Sequence, residues 1–299
     1  MTVSRTNTLR ETLRKIEDAE VLDRPGKVLR ALAEPLTRSD AAKNALSGTW
    51  LRHRLHPMLT DVPIGAWISA SALDVVGGRH SSKAARRLVG VGIVSSLPTA
   101  MAGLSDWADT YGGEQRTATV HAATNGVALA LQVVSWRARR RGHGFRAGVI
   151  SVVALGAVAA GGYLGGHLVY NQQVGVDVPP DELSPGRWYD TVAFDELVDD
   201  RPHGVTLDGV TVVLVRQGAV VHALGGTCTH RGGPLADGTV DVDVIRCPWH
   251  GSEFRLVDGE VVRAPATTPE PAYETRVRDG LVQVRAREAE PAELDSGTV

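Results

Sequence analysis

Two short segments hold every cysteine of the chain. Cys228-Thr229-His230 offers a thiol and an imidazole two residues apart, and Cys247-Pro248-Trp249-His250 repeats the offer after sixteen intervening residues. Two thiolates and two imidazoles make a four-donor set for a soft or borderline metal. A structural zinc ion is the plain alternative. Zinc fingers, however, usually pair cysteine with cysteine at one corner and histidine with histidine at the other, whereas here each segment brings one of each. Two cysteines exclude a disulfide scaffold and any four-cysteine metal site within one chain.

A second polar set is scattered through apolar sequence: His56, Asp61, Asp106, His121 and His167. The elements that carry it are long. Residues 62–78 contain one charge, Asp74, and residues 88–105, 117–136 and 147–171 contain no Asp, Glu, Lys or Arg. A membrane span needs about 20 apolar residues, so residues 51–171 are expected to form a four-helix transmembrane bundle. Gly161, Gly162, Gly165 and Gly166 give small-xxx-small pairs that let membrane helices approach closely. In an up-down bundle the polar set collects at one end, with His121 and His167 about 6 Å inside it. Ionisable groups at that depth are costly and usually functional. Three readings stand: a haem b held by His121 and His167, a quinol- or proton-handling site, or histidines that only cap and cross-link helix ends. His80 and His143 fall at the opposite end and read as loop residues.

The flanks complete the plan. Residues 1–50 are charged, lack a secretory signal, and show apolar residues at helical spacing on either side of Pro25-Gly26. They read as two amphipathic helices that are solvated, lie on a membrane surface or pack on the rest of the chain. Residues 172–186, with their prolines and no apolar period, read as an extended linker. From 187 to 288 short β-branched runs appear at 211–215, 219–224, 242–247, 260–262, 273–277 and 281–284. Asp-Gly turns at 208–209, 237–238, 258–259 and 279–280 punctuate them, which is the pattern of a small all-β domain. Residues 289–299 form an acidic tail. The 299 residues hold 32 Lys and Arg against 34 Asp and Glu, a net charge of −2, too balanced for a nucleic-acid binder that relies on bulk charge.

Basic residues set the expected orientation. Arg79, Lys83, Arg86 and Arg87 in the first loop and Arg137, Arg139, Arg140, Arg141 and Arg146 in the third make nine, against five on the other side (Lys43, Arg52, Arg54, Arg116 and Arg187). A multi-pass cell-membrane protein follows, with its C-terminal domain on the outer face. Arg139-Arg140-Arg141 also resembles a twin-arginine export signal, although loop charge explains the same residues.

The C-terminal motifs run well past the four donors. CTHRGGPLADG followed by CPWHGSEFRLVDGEVVRAPA closely resembles a Rieske [2Fe–2S] protein, over roughly residues 187–287. The resemblance implies that Cys228 and Cys247 hold a buried iron, and that His230 and His250 hold an outer iron that accepts the electron. Two ferric ions, two sulfides and two thiolates sum to zero, against −2 for a four-cysteine cluster, so an electron is added at a higher potential. The histidines, expected to be exposed, could gain protons on reduction. The respiratory-chain type has a disulfide between its cluster loops, where this chain has Gly233 and Trp249. That type also has serine and tyrosine hydroxyls on the cluster sulfurs. Ser252 keeps the first and Phe254 replaces the second, so the potential is expected to be lower, as in ferredoxins that feed ring-hydroxylating oxygenases. WLRHRLHP at 50–57, DVPIGAW and YLGGHLVY resemble a bacterial four-helix membrane family over about residues 50–175, with no settled chemistry to carry over.

These readings imply one-electron transfer between a membrane donor and a partner protein, as one component of an oxidoreductase system. A quinol-oxidising enzyme working at the His121/His167 face and a redox-sensing membrane protein are the alternatives. No two-histidine, one-carboxylate iron site accompanies the cluster motif, which argues against an oxygenase.

Overall fold

Helical spacing and strand alternation separate cleanly in the computed structural model, which describes residues 3–287. Met1–Val176 and Asp177–Val299 form separate units, the first helical and the second all β. The tail read at 289–299 lies outside the described residues.

The helical unit has seven α-helices among the described residues: α1 (Val3–Glu17), α2 (Asp23–Thr37), α3 (Asp40–Ser47), α4 (Leu55–Val76), α5 (Ser82–Trp107), α6 (Gly112–Arg140) and α7 (Gly144–Tyr170). The N-terminal segment thus holds three helices where two were expected. Pro25-Gly26 does not break a helix. It lies in the first turn of α2, where proline is tolerated, and the break falls at the 3-10 turn Glu20–Leu22. Ser39 caps α3 by accepting from the Ala42 N–H, and Gly48 closes it with φ of +85°. These helices pack on the unit rather than standing in solvent. Arg116 of α6 bonds the Asp23 carboxylate (2.8 Å) and the Glu17 carbonyl (3.0 Å). Lys43 donates to the Ser105 carbonyl (2.9 Å) and pairs with Asp109 (2.5 Å).

Among the described residues three helices, α4, α5 and α7, are long and apolar enough to cross a membrane. The sequence pattern predicts four. The remaining long helix, α6, spans 29 residues but is studded with Thr117, Thr119, His121, Thr124, Asn125, Gln132 and Ser135. Several of these face inward: Thr117, Gln132 and Ser135 are fully buried, while Val75, Val94, Leu97, Val152 and Val153 point outward. This inverts the usual arrangement of a water-soluble bundle.

The one charge inside the first apolar stretch is neutralised there. Arg139 Nη1 and Nη2 bond Asp74 Oδ1 and Oδ2 at 2.7 and 2.5 Å, and Nη2 also reaches Ser151. Arg139 therefore belongs to the interior, not to the loop charge. The twin-arginine reading loses one of its arginines, because Arg139 is held inside by its bonds to Asp74 and Ser151.

Among the described residues the β unit has ten strands: β1 (Tyr189–Ala193), β2 (His203–Leu207), β3 (Val210–Gln217), β4 (Val220–Gly225), β5 (Thr239–Asp241), β6 (Val244–Arg246), β7 (Glu253–Arg255), β8 (Val261–Arg263), β9 (Ala272–Arg278) and β10 (Leu281–Ala286). A six-stranded sheet runs β1-β10-β9-β4-β3-β2, and a four-stranded sheet runs β5-β6-β7-β8. Asp208-Gly209 and Asp279-Gly280 take positive φ at both residues, the type I′ geometry of tight hairpins. They join β2 to β3 and β9 to β10. Both faces of β3 are buried. Val212 and Leu214 face one core with Val282 and Val284, while Val213 and Val215 face a second with Leu235, Ile245, Phe254 and both cysteines.

The stretch 172–186, expected to be a free linker, is divided between the units. Val174 packs with Trp107 and Leu168 in the helical unit. Leu183 is buried in the first β core, and Pro185 bridges Ala286.

Candidate metal centre

Two turns of one design carry the four donors. After β4, the Cys228 N–H donates to the Gly233 carbonyl (2.8 Å) and the Gly232 N–H returns to the Cys228 carbonyl (2.7 Å). After β6, the Cys247 N–H donates to the Ser252 carbonyl (2.8 Å) and the Gly251 N–H to the Cys247 carbonyl (3.1 Å). Gly232 and Gly251 each stand four residues beyond their cysteine, with φ of +74° and +73°. A side chain at either position would be strained.

The thiols belong to the second β core, at 1% and 3% exposure. They share a hydrogen bond. That bond, with burial, pushes the Cys228 thiol up, and the same bond pulls Cys247 down to about 6 against the opposing effect of burial. The imidazoles of His230 and His250 meet edge to face, ring centroids 4.8 Å apart. The arrangement is two sulfurs together and two rings together. Among the described residues no three His, Cys, Asp or Glu side chains converge on one point. A two-iron cluster asks for two protein donors on each iron, which is the pairing of like donors seen here. The donor set fits the cluster.

The surroundings hold the loops in place. A Cβ at Gly233 would lie 2.9 Å from Cys247 Sγ and 3.2 Å from the Trp249 ring. The position where the respiratory type has a disulfide cysteine therefore has no room for one here. The Thr229 N–H donates to Glu270 Oε1 (2.7 Å), its hydroxyl to the Thr268 carbonyl (2.7 Å), and its carbonyl accepts from the Val178 N–H (2.7 Å). Glu270 is buried, which pushes its carboxyl up to about 8. Ser252 Oγ accepts from the Ala266 N–H (2.9 Å) and keeps its own proton to donate. Phe254 is fully buried. The histidines differ from expectation: His230 is only 4% exposed, and only His250 is partly open to solvent. Sequence reasoning missed Thr229 and Glu270, since no spacing links them.

The helical unit rearranges its own candidates. His121 and His167 take different partners. His167 Nε2 lies 3.0 Å from Glu17 Oε1, a carboxylate that Gln172 also bonds (2.9 Å). The cause is the packing of α1 on this end of the bundle, which the sequence did not reveal. His121 instead meets His56, ring centroids 6.3 Å apart and nearly perpendicular. Asp106 faces Arg54 at 3.9 Å, and Asp61, His80 and His143 are exposed. Asn125, four residues after His121, donates to the His121 carbonyl (3.0 Å). Its i, i+4 spacing was the signal that could have found it.

Residues 187–278 match the Rieske [2Fe-2S] domain family, and residues 52–178 match a family described as a predicted membrane protein (DUF2231). Ferredoxin CarAc of Metapseudomonas resinovorans is 38% identical over 73 residues, 24% of this chain and 68% of that protein. The ferredoxin component of the naphthalene 1,2-dioxygenase system of Pseudomonas putida is 26% identical over 98 residues, 33% of this chain and 94% of that protein. Among solved structures, the ferredoxin of carbazole 1,9a-dioxygenase from Nocardioides aromaticivorans IC177 is 26% identical, with 34% of this chain covering 100% of it at a TM-score of 0.33.

Proposed function

The chain belongs to the Rieske [2Fe–2S] family through its C-terminal unit, and from that premise we propose that it is a membrane-anchored one-electron carrier. Membership carries one [2Fe–2S] cluster. Cys228 and Cys247 would hold one iron and His230 and His250 the other, and the bound cluster takes up and releases one electron without making bonds. The observation that carries the assignment is the pairing of like donors, sulfur with sulfur and ring with ring, by two turns of the same design. Trp249 is 54% exposed next to His250, which suits an edge approached by a partner protein. The relatives are ferredoxin components of dioxygenase systems, so a separate redox protein is the fitting acceptor or donor.

The helical unit would be the anchor, with α6 as a fourth span. Two cross-pairs support this. His56 with His121 and Asp74 with Arg139 both join α4 to α6 at an offset of 65 residues. One offset at both ends means that α4 and α6 run parallel, as alternate helices of an up-down bundle do. The two pairs are 18 residues apart along α4, about 27 Å of helix, close to the thickness of the hydrocarbon layer. Without Arg139 the loop charge is eight against five, still favouring an outward C-terminal unit.

Two measurements test the reading. Dithionite reduction of the full chain in detergent should give the rhombic low-field electron paramagnetic resonance (EPR) signal of a Rieske cluster, absent from Cys228→Ser. Membranes washed with alkaline carbonate should retain the chain. A diamagnetic protein holding one zinc, or release by the wash, overturns the corresponding half.

A further inference from the structure

The helical unit repeats one device. His56 at the start of α4 faces the carbonyl of Thr99 on α5, Nδ1 to oxygen 2.9 Å, and its ring lies over Gly103 one turn further on. His121 on α6 faces the carbonyl of Gly161 on α7, 2.8 Å, and its ring lies over Gly165, again one turn further on. A Cβ would fall 2.7 Å from His56 Cε1 at Gly103 and 3.1 Å from His121 Cε1 at Gly165. Both glycines therefore make room for an imidazole. Two helical hairpins thus present two rings to each other in the same way.

The hydrogen bonds fix the protons. A carbonyl oxygen only accepts, so Nδ1 carries the hydrogen in both rings, and Nε2 of each neutral ring holds a lone pair. Asn125 Nδ2 donates to the His121 carbonyl and lies beside both ring nitrogens, 3.5 Å from Nδ1 and 3.3 Å from Nε2, so the carbonyl of Gly161 alone sets the tautomer. Metal-binding histidines are oriented in this manner, the far nitrogen donating to a backbone carbonyl. The arrangement is also supported from behind. Pro63 lacks the N–H that would bond the Leu59 carbonyl, and the Thr99 hydroxyl reaches that carbonyl at 3.1 Å. The residue that orients His56 is thereby held to α4.

We propose that His56 and His121 are the paired ligands of a metal centre in the helical unit, each binding through Nε2, with Asn125 keeping its bond to the His121 carbonyl. A metal bound through imidazole nitrogen sits about 3.2 Å from the ring centroid. The observed 6.3 Å separation accommodates one metal with the rings on opposite sides. Among the described residues no third donor joins them. A metal that takes two protein donors suits the pair. Haem iron, whose macrocycle fills four positions, and a cuprous ion, which accepts two, share that chemistry. This centre differs from the His121/His167 pair expected from the sequence and is independent of the iron–sulfur reading.

The test uses the full chain, expressed with haem precursor and with copper in separate cultures and purified in detergent. Metal content, a reduced-minus-oxidised visible spectrum and the Rieske EPR signal are measured together. One metal per chain beyond the two cluster irons is expected. An α-band identifies haem, and copper without an α-band identifies the cuprous ion. His56→Ala and His121→Ala should each reduce the extra metal at least about tenfold, with the cluster signal unchanged, while His167→Ala keeps it. His121→Gly should regain it when imidazole is added, which separates ligand loss from misfolding. Overturning results are a chain with its two cluster irons alone that takes up neither haemin nor cuprous ion, or an extra metal that survives both alanine changes. Loss of the cluster signal alone would count against the carrier reading and leave this metal count standing.

Discussion

The two units each bring a pair of imidazoles together, by opposite means. In the β unit, His230 and His250 ride on short glycine-closed turns directly beside their cysteines, and the rings meet at 4.8 Å. In the helical unit, His56 and His121 come from helices that are not neighbours in sequence, and the rings stop at 6.3 Å. A turn built from local hydrogen bonds can be read from a dozen residues. A helix shows its face but not its partner, so a site between helices depends on how the bundle packs. Burial differs as well. The β unit places its donors at the edge of an apolar core, whereas the helical unit buries Thr117, Gln132 and Ser135 beside its apolar clusters while leaving valines such as Val94 and Val152 exposed.

The comparison is broken most directly at the thiols. Cys228→Ser or Cys247→Ser should lower cluster absorbance and its EPR signal by at least about tenfold, with the detergent-solubilised helical unit still folded by circular dichroism. Loss of both units together would show that the division is not energetic. Next in size is the Arg139–Asp74 pair of the helical unit, in which only Arg139 is buried. Arg139→Ala removes its charge-assisted bonds to Asp74 and Ser151 and should destabilise that unit by about 1.5–3 kcal/mol. An Asp74→Leu/Arg139→Met double variant should recover most of the loss. Thermal unfolding in detergent measures both, and the cluster signal should be unaffected at low temperature.

Glu270 sharpens the comparison through pH. Its carboxyl is raised from 4.5 to about 8 by burial, so the folded β unit binds a proton that the unfolded chain gives up. Stability contributed by the neutral form is full below about 4.5 and is lost as pH rises towards 8. Glu270→Gln keeps the acceptor for the Thr229 N–H and should flatten that slope in denaturant titrations. An unchanged slope would mean that the carboxyl is ionised. The smallest effect is expected from Phe254→Tyr. A new hydroxyl worth about 0.5–1.5 kcal/mol to the reduced state should raise the potential by roughly 20–60 mV, read by a dye-linked redox titration.

Much of the β unit was legible in the sequence. Asp208-Gly209 and Asp279-Gly280 announced their hairpins, and the runs at 211–215 and 281–284 became β3 and β10. β1, β2, β5 and β7 were not seen. β7 is Glu-Phe-Arg, three residues with two charges, and only its pairing with β6 and β8 makes it a strand. The placing of Phe254 opposite Ile245 in the core follows from that pairing.

Local chemistry alone therefore pointed to the candidate donor set, the Asp-Gly hairpins and three of the apolar helices. Each depends on residues within a few positions of one another, and spacing records such relations. Tertiary structure alone decided that His121 faces His56, that Glu17 takes His167 away, that Arg139 lies inside against Asp74, and that Glu270 holds Thr229 from 41 residues away. These are contacts between segments whose separation in sequence carries no information about their approach. They are set by which packing buries the most surface while leaving the fewest charges unpaired.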